Sequence, residues 1–265
     1  MNLVERIWRS SLGKKYVMAV TGLALFGFVV GHLVGNLQVF GPPEAINSYA
    51  HFLKSKPLLL WGARLGLLAC VGLHLAAAIT LSALNKAARP VAYGGVPRPY
   101  AASLGSRTML LSGLVILAFV IYHLLHFTAQ QPGINGVGDF SRLRTTLHGE
   151  PVADVYAMMI LGFQVWWVAA FYLLAQALLF LHLGHGLASL FQSLGLRNHV
   201  WWPRVTLLAQ GLSVAIFLGY ASIPVAVLGG LGGEYAGKAK AQALRAAAEA
   251  AGPAPALALA GKEGK

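Results

Sequence analysis

The sequence predicts an all-α membrane protein with five transmembrane helices, four of them in an up-and-down bundle and the fifth packed outside. Hydrophobic residues make up 57% of the 265 positions and charged residues only 11%, whereas about a quarter of a soluble domain is charged. Apolar stretches of about 20 residues, long enough to cross a hydrocarbon core of about 30 Å, recur along the chain. These observations place most of the chain in a bilayer.

The five predicted spans share a texture of leucine, alanine, valine and glycine, with tryptophan or tyrosine near several ends. They are Tyr16–Val39, Leu58–Leu84, Arg107–Ala129, Val155–Leu190 and Pro203–Leu228. Between the first two, "PPEAINSYAHFLKSKP" is half polar and bracketed by prolines, which predicts a short helix on the membrane surface. The spans form a domain over residues 1–230, and the Ala/Gly/Pro-rich tail at 231–265 is predicted to be partly helical or disordered.

Lysine and arginine are unevenly distributed between the loops, and this predicts the orientation. Ten precede the first span or lie in the second and fourth loops, and four lie in the first and third loops. They are Arg6, Arg9, Lys14, Lys15, Lys86, Arg89, Arg98, Arg107, Arg197 and Arg204, then Lys54, Lys56, Arg142 and Arg144. Because cytoplasmic loops carry the excess of cations, the N-terminus is predicted to be cytoplasmic. The net charge of +12 therefore orients the chain and does not predict nucleic-acid binding.

Histidines recur in the first four predicted spans, where ionisable side chains are costly and usually functional. They are His32 in the first span, His74 in the second, His123 and His126 in the third, and His182 and His185 in the fourth. The remaining three, His51, His148 and His199, fall in loops, where a solvated ring is expected. One intramembrane histidine often bonds only a nearby carbonyl, but histidines in four consecutive spans indicate a shared role.

Four of these histidines sort into two layers, because alternate spans run in opposite directions. His32 and His123 each lie about 16 residues along outward-running spans, so both are expected in the outer half of the membrane. His74 and His182 lie late in inward-running spans and are expected in the inner half. At a rise of about 1.5 Å per residue, the layers should be roughly 10–20 Å apart. Paired histidines facing one another across a bundle are typical ligands of a bis-histidine haem, so the pattern predicts two haems b.

Other metal sites and a transporter fit the sequence less well. A zinc or di-iron site would need carboxylates or cysteines beside the histidines, and a proton-coupled transporter normally needs an intramembrane carboxylate. The single cysteine is Cys70, and all eight acidic residues lie outside the spans or at their edges. A haem-free, histidine-lined transporter remains the alternative from a different functional class.

Together these residues resemble the single-chain, five-helix, di-haem cytochrome b that anchors succinate dehydrogenases and fumarate reductases in the membrane. The matching stretches are "SSLGKK", "GHLVGNLQVF", "AINSYAHFLKS", "GLHLAAAITL", "IYHLLHF" and "FLHLGHGLASLFQSLG", in this order over residues 10 to about 228. A haem b anchor of a hydrogenase or formate dehydrogenase is the alternative within the same broad class. The motif between the first two spans and the order of the ligands favour the succinate family.

The resemblance implies the ligands and the role of the chain. His32 and His123 would bind the iron of the outer haem, and His74 and His182 that of the inner haem. In the third and fourth spans it favours the first histidine of each pair, a choice that depth alone leaves open. The chain would then be the electron-transferring anchor subunit of succinate:quinone oxidoreductase (complex II) in a bacterial inner membrane.

The same resemblance implies partners. A soluble flavoprotein with FAD and an iron–sulfur subunit would dock on the cytoplasmic face, and a membrane quinone, with menaquinone expected, would be the substrate. Some family members carry an acidic residue near the ligand of the fourth span. Here Phe180 and Leu181 are apolar, which favours succinate oxidation over fumarate reduction.

Two further sets of residues are candidates for binding. Glu44 and His51 lie with Asn47 and Lys54 in the first loop, near the predicted level of the outer haem. A carboxylate there could exchange the proton of a quinone with the aqueous phase. Arginines near span ends are candidate donors to haem propionates, although long side chains also extend to the interface; they are Arg64, Arg107, Arg197 and Arg204.

Overall fold

Five helices in the described part of the chain are long and apolar enough to cross a membrane, as the sequence predicts. The computed structural model describes residues 2–89 and 104–251. Its candidate spans are Ser11–Phe40, Pro57–Ala87, Leu104–Thr128, Trp166–Ser193 and Trp202–Leu228. Successive spans run in opposite directions, so the connections fall on two sides. We call these the amino-terminal side, which holds residue 2, and the hairpin side, which holds a short β-hairpin.

The first span begins beside a short helix. Helix α1 (Leu3–Arg9) is separated from α2 (Ser11–Asn36) by Ser10, whose backbone is extended with φ −85° and ψ 143°. The Ser10 hydroxyl caps α2 by accepting a hydrogen bond of 2.8 Å from the Gly13 amide. A Cβ on Gly13 would lie 2.1 Å from the carbonyl oxygen of Ile7, so the close approach of α1 to α2 requires glycine here.

The segment between the first two spans forms the predicted surface helix. A 3₁₀ turn, Leu37–Phe40, follows α2, and α3 then runs over Pro43–Lys54. The second span is α4 (Pro57–Ala87). Proline stands at the first helical position of both α3 and α4, where a backbone N–H would have no partner inside the helix.

The third span ends in a widened turn. Helix α5 (Leu104–His123) continues into a π-helical turn over Leu124–Thr128. In that turn the Ala129 amide donates to the Leu124 carbonyl at 2.7 Å, a bond that spans five residues instead of four. A single-turn helix α6 (Pro132–Asn135) follows on the hairpin side.

A two-stranded antiparallel hairpin gives the hairpin side its name. A 3₁₀ turn (Phe140–Arg142) leads into β1 (Arg144–Leu147), which pairs with β2 (Glu150–Ala153). The two residues between the strands, His148 and Gly149, both have positive φ, 51° and 86°. This is the conformation of a two-residue hairpin loop that matches strand twist. The elements predicted from the sequence do not include this hairpin.

The fourth predicted span, Val155–Leu190, is wrong at its start. The helix breaks at Val165, where φ is −77° and ψ is 103°. Helix α7 (Val155–Gln164) is a separate element buried along almost its whole length, and α8 (Trp166–Ser193) alone forms the span. A single helix over the predicted range would be about 54 Å long at about 1.5 Å per residue, against a hydrocarbon core of about 30 Å. Its first part packs instead among protein on the hairpin side.

The last two helices complete the fold. Helix α9 (Trp202–Leu228) is the fifth span, and α10 (Gly233–Ala251) returns along the hairpin side to pack against α7. The predicted tail therefore contains a helix in its first part. Residues 252–265, in the remainder of that tail, lie outside the described residues.

The spans form a ring of four helices with the fifth outside it. Helix α2 packs against α4 and α8, α5 packs against α8, and α4 touches α5. Helices α2 and α5 therefore lie diagonally across the ring, as do α4 and α8. Helix α9 packs mainly on α8 and also touches α2. This is the up-and-down arrangement that the sequence predicts.

A buried carboxylate joins three elements on the hairpin side. Asp154 is 2% exposed and caps α7 by accepting from the Ala157 amide at 2.9 Å. It also accepts from Asn47 Nδ2 of α3 at 3.2 Å and from the Tyr235 hydroxyl of α10 at 2.9 Å. Asn47 Oδ1 in turn accepts from the Tyr156 amide at 3.0 Å. Asp154 thus fastens α3 and α10 to the start of α7.

Replacing this carboxylate should destabilise the protein more than replacing an exposed one. We expect Asp154→Ala to lower the free energy of unfolding by about 2–4 kcal/mol, because it removes a helix cap and leaves buried donors unpaired. Asp139→Ala is the control, since Asp139 also caps a turn through the Ser141 amide but is exposed. Denaturant unfolding in detergent would measure both variants. Equal losses of unfolding free energy in the two variants would mean that the buried hydrogen bonds of Asp154 contribute no stability beyond the helix cap.

Candidate functional site

The first pair of predicted ligands lies together towards the hairpin side, on α2 and α5. The ring centroids of His32 and His123 are 5.7 Å apart, with the ring planes at 79°. Phe28 stacks on His32 with centroids 5.2 Å apart, and the ring centroid of Tyr220 from α9 is 6.3 Å from that of His32. The two histidines therefore meet across one diagonal of the ring. Helix direction predicts this pairing for the outer layer.

The second pair lies towards the amino-terminal side, on α4 and α8. His74 Nδ1 is 3.1 Å from the Met18 carbonyl oxygen and 3.2 Å from Thr21 Oγ1, both on α2. His182 Nδ1 is 3.2 Å from Ser112 Oγ on α5. His182 is close enough to His74 for the two rings to interact electrostatically. Each ring is thus held by a neighbouring helix, and the pair spans the second diagonal.

The hydroxyl groups determine which nitrogen of each ring in the second pair carries the hydrogen. Thr21 donates its own hydrogen to the Val17 carbonyl at 2.7 Å, and Ser112 donates to the Met109 carbonyl at 3.1 Å. Each hydroxyl oxygen is then an acceptor, so we assign the hydrogen of the facing imidazole to Nδ1. Nε2 keeps a lone pair, which is the form in which a neutral histidine binds a metal ion.

The two supporting hydroxyls occupy equivalent positions in α2 and α5. Thr21 and Ser112 each precede the histidine of their own helix by 11 residues, in "TGLALFGFVVGH" and "SGLVILAFVIYH". Glycine follows each of them, and a Cβ there would lie 3.2 Å (Gly22) or 3.4 Å (Gly113) from Cε1 of the facing imidazole. One repeated helix pattern therefore supplies a candidate ligand to one layer and a supporting hydroxyl to the other.

A tyrosine of α8 links the two histidines of the third span. The Tyr172 hydroxyl is 3.3 Å from His123 Nδ1 and 2.9 Å from His126 Nδ1. His126 is fully buried, and its Nε2 has no hydrogen-bond partner among the described residues. That nitrogen would be 3.1 Å from a Cβ placed on Gly162 of α7. The His126 ring is therefore enclosed by protein, between Gly162 and the stacked ring of Phe127, whereas the ring of His123 faces His32 of the opposite helix.

The separation of the two rings in the first pair fits ligation of one iron by both histidines. An imidazole–metal bond is about 2 Å long, so the centroids of two axial rings are about 6 Å apart. The separation of the two rings in the first pair is 5.7 Å. A Cβ on Gly27, Gly31 or Gly72 would meet no atom within 4 Å, so these positions beside the histidines are open. Within residues 2–89 and 104–251, no group of three or more His, Cys, Asp or Glu could hold a metal ion.

The residues predicted to contact a quinone are separated along α3. His51 lines a pocket together with Lys54 and Arg144. Glu44 is exposed near the other end of the helix and is not part of the pocket lining. Asn47 is buried and bonds the carboxylate that joins α3 to α7, so its role is structural. Of the four predicted neighbours, only the histidine and the lysine share one pocket.

Three of the four arginines predicted as candidate propionate donors stack on tryptophan rings. The guanidinium carbon is 5.0 Å from the ring centroid for Arg64 on Trp61, 4.6 Å for Arg197 on Trp202 and 5.1 Å for Arg204 on Trp201. Such cation–π contacts are typical of side chains that extend to the membrane interface. Arg107 has no such contact among the described residues, and the assignment of propionate donors stays a prediction for all four arginines.

The basic residues of the amino-terminal side are mostly accessible. Arg6, Arg9 and Lys15 are exposed, although Arg9 is also paired with Glu5 at 2.9 Å. Lys14 is only 5% exposed. Arg98, one of the cations of the predicted cytoplasmic side, lies outside the described residues.

The sequence identified the histidines but not the side chains that orient them. Thr21 and Ser112 could have been found from the shared spacing of a hydroxyl residue, a glycine and a histidine in two spans. Tyr172 could not, because it lies 49 positions from His123 and no local pattern singles it out.

Comparison of the chain with protein-family models, with curated proteins and with solved structures gives no match.

Removing the Tyr172 hydroxyl should destabilise the histidines of the third span. We expect Tyr172→Phe to lower the free energy of unfolding by about 1–3 kcal/mol, because Nδ1 of two largely buried rings loses its partner. Tyr122→Phe is the matched control, since the Tyr122 hydroxyl donates to the Ile134 carbonyl of α6 at 3.0 Å and, among the described residues, bonds no histidine. Thermal unfolding would report stability, and ¹⁵N shifts of labelled histidine would report the hydrogen bonding of the rings. An unchanged His126 signal in Tyr172→Phe would show that the tyrosine does not hold that ring.

Proposed function

We propose that this chain is the membrane anchor and electron-transfer subunit of a succinate:quinone oxidoreductase, with two b haems inside its four-helix ring. The observation that carries the proposal is the arrangement of four intramembrane histidines as two pairs, each across a diagonal of the ring. Nδ1 of His74, His123 and His182 has a hydroxyl partner on a neighbouring helix, which leaves Nε2 for a metal ion. The ordered motifs that resemble di-haem anchors select this family among haem proteins.

When bound, two b haems would supply one-electron carriers between an iron–sulfur cluster and a quinone. His32 and His123 would hold one haem towards the hairpin side, and His74 and His182 the other towards the amino-terminal side. The threonine and serine hydroxyls would orient the second pair of rings. The apolar side chains of the spans exclude water and favour uncharged imidazoles, which are the form that binds iron.

The soluble partners would dock on the amino-terminal side, which we assign to the cytoplasm of a bacterial cell from its excess of cations. The family implies a flavoprotein with FAD and an iron–sulfur subunit. The exposed cations Arg6, Arg9 and Lys15 are available to acidic surfaces of such partners.

The quinone would react on the hairpin side, where the first histidine pair and α3 are found. Glu44 is exposed and would exchange the quinone proton with the aqueous phase. His51 would donate a hydrogen bond to a quinone oxygen. Menaquinone is the expected substrate, and succinate oxidation is the expected direction, because no carboxylate accompanies His182 in α8.

A spectrum of the purified chain tests the proposal directly. We expect sharp b-type bands in the reduced-minus-oxidised spectrum and about two non-covalent haems per chain, since four ligands form two pairs. A pyridine haemochrome assay would count the haems. A featureless spectrum would favour a haem-free transporter, and one haem per chain would mean that one pair is misassigned. Copurification of a hydrogenase or formate dehydrogenase in place of a flavoprotein would favour the alternative haem anchor.

The pairing of the four histidines predicts which substitutions remove the same haem. His32→Ala and His123→Ala should remove one common spectral component, and His74→Ala and His182→Ala the other, because each haem needs both axial bonds. The haem content should fall from about two per chain to about one in every case. Potentiometric titration with optical detection would resolve the two components. Loss of the same component in His32→Ala and His74→Ala would contradict the diagonal pairs.

Three control substitutions distinguish residues that would bind haem iron from residues that only support the binding histidines. His126→Ala should keep both haems, because the ring of His126 is enclosed and touches Tyr172. Thr21→Val and Ser112→Ala should keep both haems as well, but should shift the midpoint potential of the component that His74→Ala removes. A shift of the other component would contradict the assignment of these hydroxyls to the amino-terminal pair.

A further inference from the structure

A pocket of about 190 Å³ lies between α3 and the β-hairpin. Three of its lining side chains can carry positive charge: His51, Lys54 and Arg144. A pocket of this volume holds several waters, and it therefore has room for a phosphate group. Its position next to the start of α4 places it at the hairpin-side end of a membrane span.

The cations of this pocket form no ion pair with a carboxylate in the described part of the chain. The ion pairs found there are Arg9–Glu5, Arg142–Asp139 and Lys238–Glu234, and none of them involves a pocket residue. Arg144 donates one hydrogen bond to the Pro151 carbonyl at 3.1 Å, and a guanidinium has five N–H donors in all. The pocket therefore offers both unpaired cations and hydrogen-bond donors.

The charges in and around the pocket also repel one another. Partial burial, together with the nearby cations Arg144 and Arg64, holds the pKa of Lys54 below its ordinary value. Like charges brought together in this way disfavour the protonated amine, and an anion between them would reverse that effect. The electrostatics therefore favour an anionic ligand.

An apolar surface begins directly beside the pocket. Leu58 and Trp61 in the first turns of α4 are 90% and 57% exposed, and Phe52 of α3 is 53% exposed. The Arg64 guanidinium lies over the Trp61 ring at 5.0 Å, an arrangement suited to the boundary between hydrocarbon and headgroups. A ligand with an anionic head and hydrocarbon chains would complement both surfaces at once.

We propose that this pocket binds the phosphate group of an anionic phospholipid whose acyl chains lie along the start of α4. Lys54 and Arg144 contact the phosphate, and Arg64 adds attraction from the first turns of the span. Inorganic phosphate shares the headgroup chemistry but lacks the chains. The inference does not rest on the proposed function. His51 lines the pocket, so a quinone bound at that residue would be a neighbour of the lipid.

Chemical labelling of the unmodified full-length chain tests the site. The chain is reconstituted in vesicles of phosphatidylcholine alone or mixed with phosphatidylglycerol, and lysines are labelled with an amine-reactive reagent. We expect phosphatidylglycerol to lower the labelling rate of Lys54 relative to Lys56 by about fivefold. Lys56 is two residues away and outside the pocket lining, so it reports general effects of the charged surface. An unchanged ratio would overturn the proposal.

Substitutions test whether the pocket confers headgroup selectivity. Native mass spectrometry of the detergent-solubilised chain should detect one phosphatidylglycerol retained at about tenfold lower lipid concentration than phosphatidylcholine, as expected for two cations near one phosphate. Lys54→Gln with Arg144→Gln should abolish this preference. Lys56→Gln with Lys240→Gln removes the same charge elsewhere and should preserve it. The proposal would be overturned if both double variants lost the preference for phosphatidylglycerol equally, or if Lys54→Gln with Arg144→Gln kept it.

The source of the phosphate is decided by a third measurement. If excess inorganic phosphate protects Lys54 in phosphatidylcholine vesicles as well as phosphatidylglycerol does, the site takes a free anion and the lipid assignment is wrong. Protection of Lys54 by phosphatidylglycerol but not by inorganic phosphate supports the lipid assignment. Should the first double variant fail to fold, the labelling ratios of the unmodified chain still decide the outcome.

Discussion

An imidazole ring inside a membrane has two nitrogens to satisfy and no water to satisfy them, and much of this structure follows from that constraint. The protein meets it by placing a hydroxyl on the neighbouring helix against Nδ1. Thr21 of α2 serves His74 of α4, and Ser112 of α5 serves His182 of α8. Within the four-helix ring, these contacts lie between the neighbours that pack most closely, α2 with α4 and α5 with α8. The other nitrogen of each ring is left for a partner across the diagonal, so one set of hydrogen bonds orients the rings and also fixes which helices can be neighbours.

The helix pairs α2–α4 and α5–α8 each orient one histidine with a hydroxyl of the neighbouring helix. The two layers of histidines differ from one another in how their rings are held. Both rings of the amino-terminal layer rely on a hydroxyl whose own hydrogen is bound to a carbonyl one turn earlier. In the hairpin-side layer, Tyr172 serves two histidines with one hydroxyl. His32 instead packs its face on Phe28. If the two pairs hold haem as proposed, this difference between their surroundings would give the two haems different potentials.

The sequence was sufficient to predict those parts of the fold that depend on one property, such as hydrophobicity or helix direction, recurring along the whole chain. Five apolar stretches were enough to place five spans, and alternating helix direction was enough to pair His32 with His123. Prediction from the sequence failed where an apolar helix is buried against protein instead of lipid. Helix α7 is as apolar as a span, because it is packed among α3, α9 and α10, and hydropathy alone cannot distinguish these two surroundings. Tyr172 and Asp154 were missed for a related reason, since their partners are brought near only by the tertiary fold.

The π-helical turn at the end of α5 has a consequence for how the third span can vary. A widened turn contains one residue more than a regular one, so the chain beyond it is rotated by about 100° relative to an uninterrupted α-helix. His126 lies within that turn, and the buried elements of the hairpin side follow it. Deleting one residue there would restore a regular helix while turning those elements away from the bundle. The number of residues in this turn is therefore fixed by the rotational phase that places His126 and Phe127 against α7 and α8.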